Sequence, residues 1–483
     1  MPAAMLFSVV AIELFERPVR LRLPFRFGAA TLRGMPQAFM RARIRFADGR
    51  EAAGWSAELM VPKWFDKSHG RSDAENVDDL RLALALAAQA YTSERRQRTA
   101  FAHAAWHYGI LMAAGARQRL NALVIAFGAA LADRAILDAL CRARRMSFAD
   151  AIRANLPGID ATLSPDLGDF SFDGFLAALR PAVDIAARHT VGLLDPLTAT
   201  DVEERPMDGL PVALDEVIDR YGPRYFKLKL CGTLRDDIER LAQIAVVLDT
   251  LPEYAVTLDG NEQFADARAV AEFWRACGAD RRLTRLGSAT LYLEQPLPRH
   301  VALACDVRGL AKTKPLLIDE SDATFDAFPV ARKLGYAGVS SKNCKGPYKS
   351  LVNAARCAQW NAGGCDAPSF VSGEDLTAQA GLAVQQDLAL VGLLGLTHVE
   401  RNGHHYVAGF AGQHAPAREQ SAFLAAHPDL YTGRAPDVRL AIHDGRIALS
   451  TLDVAGFGAA VGPDLDSLIP MPTGRTDLFL TGS

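Results

Sequence analysis

Apolar residues change their spacing as the chain is read from its N-terminus. From Phe7 to about Glu58 they alternate with polar ones, as in FSVVAIELFERPV and AFMRARIRFADGREAAGWSAEL. Period two predicts strands, and Asp48-Gly49 supplies the turn of a hairpin. From about residue 75 to 155 the spacing becomes helical and the composition rich in Ala and Leu, as in DDLRLALALAAQAY and ALADRAILDALCRARRMSFADAI, which predicts a helical layer over the sheet. After the loop-like NLPGIDATLSPDLGDFSFDG, short apolar runs alternate with amphipathic stretches such as TLRDDIERLAQIAVVLDTL. The runs are HTVGLLDPL, RYFKLKL, YAVTLDG, ATLYLEQPL, PLLIDES, GYAGVSSK, GGCDAPSF and LTHVE. Parallel strands need crossovers of a dozen or more residues, so eight runs at this rhythm predict a (β/α)8 TIM-like barrel. The end, DVRLAIHDGRIALSTLDVAGFG, predicts strands around the HDGRI turn that rejoin the first module. The expected fold class is therefore α/β: an N-terminal α+β capping domain (1–185), a barrel (186–430) and a C-terminal segment (431–483) that completes the cap.

Composition narrows the function classes. The 483 residues exceed the roughly 250–300 at which single cores stop growing, which agrees with two domains. A net charge of −3, with basic residues scattered along the chain, excludes an electrostatic case for nucleic acid or an anionic membrane. The seven cysteines have no paired metal-finger spacing and read as reduced thiols of a cytoplasmic protein. The N-terminal apolar run lacks a preceding basic region and is interrupted by Glu13 and Glu16, so a signal peptide is not expected.

In a (β/α)8 barrel the chemistry is carried where strands end at their C-termini. Here the second strand ends in Lys227 and Lys229, which point the same way, and the third in Asp259 and Asn261. The fourth ends in Glu294 and Gln295, the fifth in Asp319 and Glu320, and the sixth in Lys342 and Lys345. Singly, each has an ordinary reading: K-x-K as a solvated face, LDGN as a turn. Jointly, at intervals that suit βα units of about 30 residues, they place carboxylates on one rim with lysines flanking them. Converging carboxylates form an all-oxygen site for a hard cation, Mg²⁺ rather than zinc. A lysine beside a divalent cation and a second lysine has its neutral form favoured and can serve as a base. Glu320 neighbours Asp319 on the strand and faces the other way, so one or the other is the ligand. Lys345 is the alternative to Lys342, although Gly346-Pro347 suggests that the loop has begun.

These strand ends resemble the enolase superfamily, and within it the muconate lactonizing enzyme subgroup, as a mandelate racemase/muconate lactonizing enzyme-like protein. AFMRARIRFADGREAAGWSAE is similar to that family's cap strands. The resemblance implies Asp259, Glu294 and Asp319 as ligands of Mg²⁺, with Mn²⁺ as the alternative ion. It implies Lys229 and Lys342 as acid and base on opposite faces of the substrate, Lys227 as an electrostatic helper, and Asn261 as the partner of the first ligand. It further implies an isomerase and a homo-oligomer acting on a small carboxylate. The reaction would remove the proton α to the carboxylate through an enediolate, leading to racemisation or epimerisation, with cycloisomerisation, β-elimination or a non-catalytic binding role as alternatives. Gln295, Glu320 and Lys345 are supporting or substrate-contacting candidates. PFRFGAATLRG and AELMVPKW would be cap loops over the substrate, with Phe27, Leu59 and Met60 as contacts. THVERNGHHY stands where dipeptide epimerases of the subgroup carry D-x-D, and the chain is longer than usual between about Val61 and His189.

Overall fold

A computed structural model of the chain describes residues 5–471 apart from 29, 69, 365 and 366. The alternating N-terminal segment forms three long antiparallel strands, β1 (Phe7–Phe27), β2 (Ala30–Phe46) and β3 (Glu51–Leu59), with the β2–β3 hairpin turning at Asp48-Gly49. Ile469–Pro470 pairs antiparallel with β1, opposite Glu16 and Phe15, so the C-terminal segment supplies the fourth strand of the cap sheet.

Three helices cover this sheet: α1 (Asp73–Ser93), α2 (Ala100–Arg117) and α3 (Ala122–Arg144). Ser72, Thr99 and Asn121 cap their N-termini by accepting bonds from backbone N–H groups, and Ser72 forms a full capping box with Glu75. α3 is the cap's central helix, apolar on nearly every face and buried from Leu123 to Cys141 except at Ala129. Its close packing depends on two glycines. A Cβ on Gly54 of β3 would lie 2.3 Å from the Ala135 carbonyl, and one on Gly128 would lie 2.2 Å from the Ala83 carbonyl of α1. Neither position has room for a side chain.

The barrel closes from eight parallel strands: β4 (Asp184–Val191), β5 (Tyr225–Lys229), β6 (Ala255–Asp259), β7 (Thr290–Glu294), β8 (Leu316–Ile318), β9 (Gly338–Ser341), β10 (Phe370–Gly373) and β11 (His398–Glu400), with β11 pairing back onto β4. Arg446–Ala448, just after the Asp444-Gly445 turn, adds antiparallel to the start of β4. Phe226, Leu228, Val256, Leu258 and Leu293 are buried in a single cluster with the surrounding helices. The residues between them on β5, β6 and β7 turn to the barrel axis, and that side is polar.

Two strands differ from the sequence expectation. The first starts at Asp184 rather than His189 and ends before the Gly192–Pro196 loop. The seventh is Phe370–Gly373, not GGCDAPSF: Gly364 has a positive φ of 70° and Pro368 lacks an N–H, so that stretch is loop, and its Cys365 and Asp366 lie outside the described residues. No described helix is long and apolar enough to cross a membrane.

Candidate active site

Register brings the expected residues onto one rim. Lys229 of β5 lies opposite Asp259 of β6, and Asp259 lies opposite Glu294 of β7. Asp319 immediately follows β8, and Lys342 immediately follows β9. All five side chains are buried. Lys229 Nζ donates to Asp259 Oδ2 at 2.6 Å, and Lys342 Nζ donates to Asp319 Oδ2 at 2.6 Å. β5 and β9 are the second and sixth of eight strands, so these lysines approach from opposite sides of the barrel.

Lys227 occupies the axis. Its ammonium donates to Glu294 Oε1 at 2.8 Å, Glu374 Oε2 at 2.8 Å and Glu400 Oε2 at 2.9 Å, and lies 2.9 Å from Asp259 Oδ2. Burial would lower its pKa, but the surrounding carboxylates outweigh that effect and push it well above the usual lysine value. With every N–H engaged, Lys227 is a counter-ion to the barrel carboxylates here, not a free donor to a substrate.

Glu374, just past β10, and Glu400, ending β11, were not singled out in the sequence, although they too are charges at strand ends. Both are firmly held. Glu374 accepts from Tyr292 (3.0 Å) and Ser372 (2.6 Å) and pairs with the fully buried Arg188. Glu400 accepts from Thr190 Oγ1 (2.6 Å) and the Asp375 amide (3.0 Å).

The supporting candidates separate by geometry. Asn261, at a φ of 42°, donates its backbone N–H to Asp259 Oδ1 at 2.9 Å and braces that carboxylate. Gln295 braces the next strand end: its Oε1 accepts from the Asp319 amide at 2.7 Å while its Nε2 donates to Ser321. Lys345 donates to Ser340 Oγ at 2.6 Å and lies 3.1 Å from Asp322, so it supports the loop beneath Asp319. Glu320 faces away from Asp319, toward the cap. There Lys67 reaches Glu320 (3.0 Å), Glu262 (2.7 Å) and the Asn261 carbonyl (2.8 Å).

The cap contacts require a correction. Leu59 and Met60 are fully buried in the cap core, because β3 ends there against α3 and the sheet. Phe27 lines a cavity of about 870 Å³ between cap and barrel, together with Lys67, Arg71, Glu262 and Arg299. The cap side chains that reach the lysines are Phe25, whose ring centre is 5.8 Å from Lys229 Nζ, and Trp64, 4.4 Å from Lys342 Nζ. Both lie in the stretches expected to cover the site, where sequence alone cannot tell which aromatic faces inward. The histidine pair after β11 divides: His405 faces Asp195 at 3.3 Å, and His404 packs on Tyr221.

The electrostatics bear on metal binding. Among the described residues, no group of three or more His, Cys, Asp or Glu that could hold a metal ion is assembled. The three expected ligands are engaged by ammonium groups instead: Asp259 by Lys227 and Lys229, Glu294 by Lys227, and Asp319 by Lys342. The donor set nevertheless suits a hard cation, being all carboxylate and carried on successive strand ends. Glu294 is short of positive charge. Among the described residues its buried Oε2 has no hydrogen-bond partner, and burial together with the Asp259 and Glu374 charges drives its pKa well above the carboxylate range. Lys342 is shifted upward, since Asp319 overcomes the effect of burial. The neutral lysine expected from the sequence therefore requires positive charge beyond what the chain itself supplies.

No protein-family model matches the chain, and no curated protein matches it. Solved structures do. The chain is similar to a muconate lactonizing enzyme from Pseudomonas fluorescens complexed with muconolactone, at 17% identity and a TM-score of 0.56, over 96% of this chain and 98% of that one. It is similar to a dipeptide epimerase from Cytophaga hutchinsonii complexed with Mg and the dipeptide D-Ala-L-Val, at 14% identity and a TM-score of 0.57, over 95% and 97%. An N-succinyl Arg/Lys racemase from Bacillus cereus matches at 15% identity and a TM-score of 0.56, over 95% and 96%. These are enolase superfamily structures, and the chain shares their barrel-and-cap fold.

Proposed function

We propose that the chain is an isomerase that moves the proton α to a carboxylate, acting as a racemase or epimerase of a small carboxylic acid. The observation that carries this reading is the pair Lys229 and Lys342: two buried ammonium groups on strands half the barrel apart, each hydrogen-bonded to one end of the Asp259–Glu294–Asp319 row. One lysine takes the α-proton from one face and the other returns a proton to the opposite face, which inverts the centre. Phe25 and Trp64 cover the two lysines and exclude water from them.

A carbon acid beside a carboxylate is weak because removing its proton adds a second negative charge to a group that is already anionic, and that charge develops on the carboxylate oxygens. Mg²⁺ or Mn²⁺ held by Asp259, Glu294 and Asp319 would supply positive charge at those oxygens. The partnerless Glu294 oxygen supports this assignment. Asn261 and Gln295 keep the strand ends in place through the bonds described above. The similar fold of racemases, epimerases and cycloisomerases supports the reaction class.

The test is α-proton exchange. Incubation in D₂O with Mg²⁺ and a panel of N-acylamino acids, dipeptides, muconates and sugar acids, followed by NMR, should show deuterium entering the α-position of at least one acid, with inversion. Exchange accompanied by ring formation or loss of water would move the reading to a cycloisomerase or dehydratase. Absence of exchange across the panel would favour a binding protein.

A further inference from the structure

We infer that Lys227 is a built-in counter-ion that competes with a divalent cation for Asp259 and Glu294 while Glu374 and Glu400 hold it in reserve. This rests on the metal reading of the rim proposed above. The contacts divide into two sides. On one side, Lys227 Nζ meets Asp259 Oδ2 (2.9 Å) and Glu294 Oε1 (2.8 Å), two of the three expected ligands. On the other it meets Glu374 Oε2 (2.8 Å) and Glu400 Oε2 (2.9 Å), which belong to strand ends outside that ligand set.

Three of the four carboxylates are fixed independently of Lys227, and Glu294 is the exception. Glu374 is fastened by Arg188, Tyr292 and Ser372, and Glu400 by Thr190 and the Asp375 amide, none of which depends on Lys227. Asp259 is fastened by Lys229 and the Asn261 backbone amide, whereas Glu294, among the described residues, has no fastening other than Lys227 and its second oxygen has no partner there. The ammonium can thus give up Asp259 and Glu294 and remain doubly paired. Buried without any cation, four converging carboxylates would repel strongly and fail to ionise together. Lys227 lets the barrel fold before a metal arrives, and its charge must be overcome when one binds. Without Lys227, the same oxygens would be left free for the divalent ion.

The experiment uses the full chain and Mn²⁺ alone, with binding read by electron paramagnetic resonance and no substrate present. In the variant K227M/E400Q one cation and one anion are removed together, so net charge is unchanged and the Arg188–Glu374 pair stays intact. It is expected to bind Mn²⁺ at least tenfold more tightly than the wild type. Equal or weaker binding by the variant, with the wild type binding, overturns the counter-ion role and leaves the metal reading standing. Binding by the variant alone supports the role and removes the metal reading from the wild type. Absence of binding in both overturns the two together. A second readout covers poor folding of the double variant. K227M purified with Mn²⁺ should lose at least 5 °C more in Tm on chelation than the wild type does, and an equal loss would overturn the inference.

Discussion

Lys67 ties the cap to the barrel mouth, and its removal should uncouple the two. The side chain comes from the loop after β3, is one-quarter exposed, and reaches Glu320, whose side chain is fully buried, at 3.0 Å and Glu262 at 2.7 Å. Glu262 keeps a second cation in Arg299 at 2.7 Å, whereas Glu320 has no other ion pair among the described residues and its Oε2 has no partner. The K67M variant therefore strands the Glu320 charge. A charge pair at this distance is worth about 5–6 kcal/mol at an effective dielectric of 20, before the cost of ordering and desolvating Lys67 is subtracted. With that partial exposure discounted, K67M should cost about 2–3 kcal/mol in stability. In K67M/E320Q the stranded charge is gone, and the loss relative to the wild type should shrink to about 1 kcal/mol. Urea unfolding of the four proteins of the cycle, at pH 8 and fixed ionic strength, measures both values. If K67M lies within about 0.5 kcal/mol of the wild type, or if the two substitutions simply add, the tie is not energetic and the reasoning fails.

Other outcomes follow from the same geometry. Asp133 is buried in the cap, bonded to Tyr91 Oη at 2.6 Å, and burial raises its pKa from 3.8 to about 7. The folded state thus holds a proton that the unfolded state releases, so stability falls as pH rises from about 4 to 7. The Asn variant D133N keeps the acceptor for Tyr91 without the charge. Its stability advantage over the wild type in urea unfolding should be about 2–3 kcal/mol larger at pH 8 than at pH 5, and a pH-independent difference would refute the assignment. Trp64 covers Lys342 and Phe25 covers Lys229, at 4.4 and 5.8 Å. W64L should slow deuterium exchange about tenfold for the stereoisomer served by Lys342, F25L should slow it less for the other, and equal slowing of both stereoisomers by either variant would refute the pairing.

Much of this was legible in the sequence because strand-end charges repeat at βα intervals, and local pattern is enough to fix which side of a short strand a residue faces. Lys227 and Lys229 share a face because they are two apart, and Glu320 turns from Asp319 because it is one apart. What the pattern missed depends on tertiary contact. Glu374 follows a strand that sequence placed several residues early, in a Gly-rich loop. Glu400 ended a strand already recognised, but its partner is on β5, 173 residues away. Leu59 and Met60 were expected at the substrate because AELMVPKW was read as a cap loop covering it. They turn into the cap core, and the choice among neighbouring apolar side chains was made by α3 and its close approach at Gly54. Lys227 was read as a helper to the substrate, since nothing in K-x-K reveals that four carboxylates surround the first lysine.

Lys229 and Lys342 are proposed to act on opposite faces of one bound carboxylate. The most direct measurement is deuterium exchange into the separate stereoisomers of an acid that the wild type racemises, followed for K229A and K342A in D₂O. Each variant is expected to lose racemisation and to lose exchange from one stereoisomer only, with the affected stereoisomers opposite in the two variants. Loss of exchange from the same stereoisomer in both, or equal exchange from both stereoisomers in each variant, would contradict it.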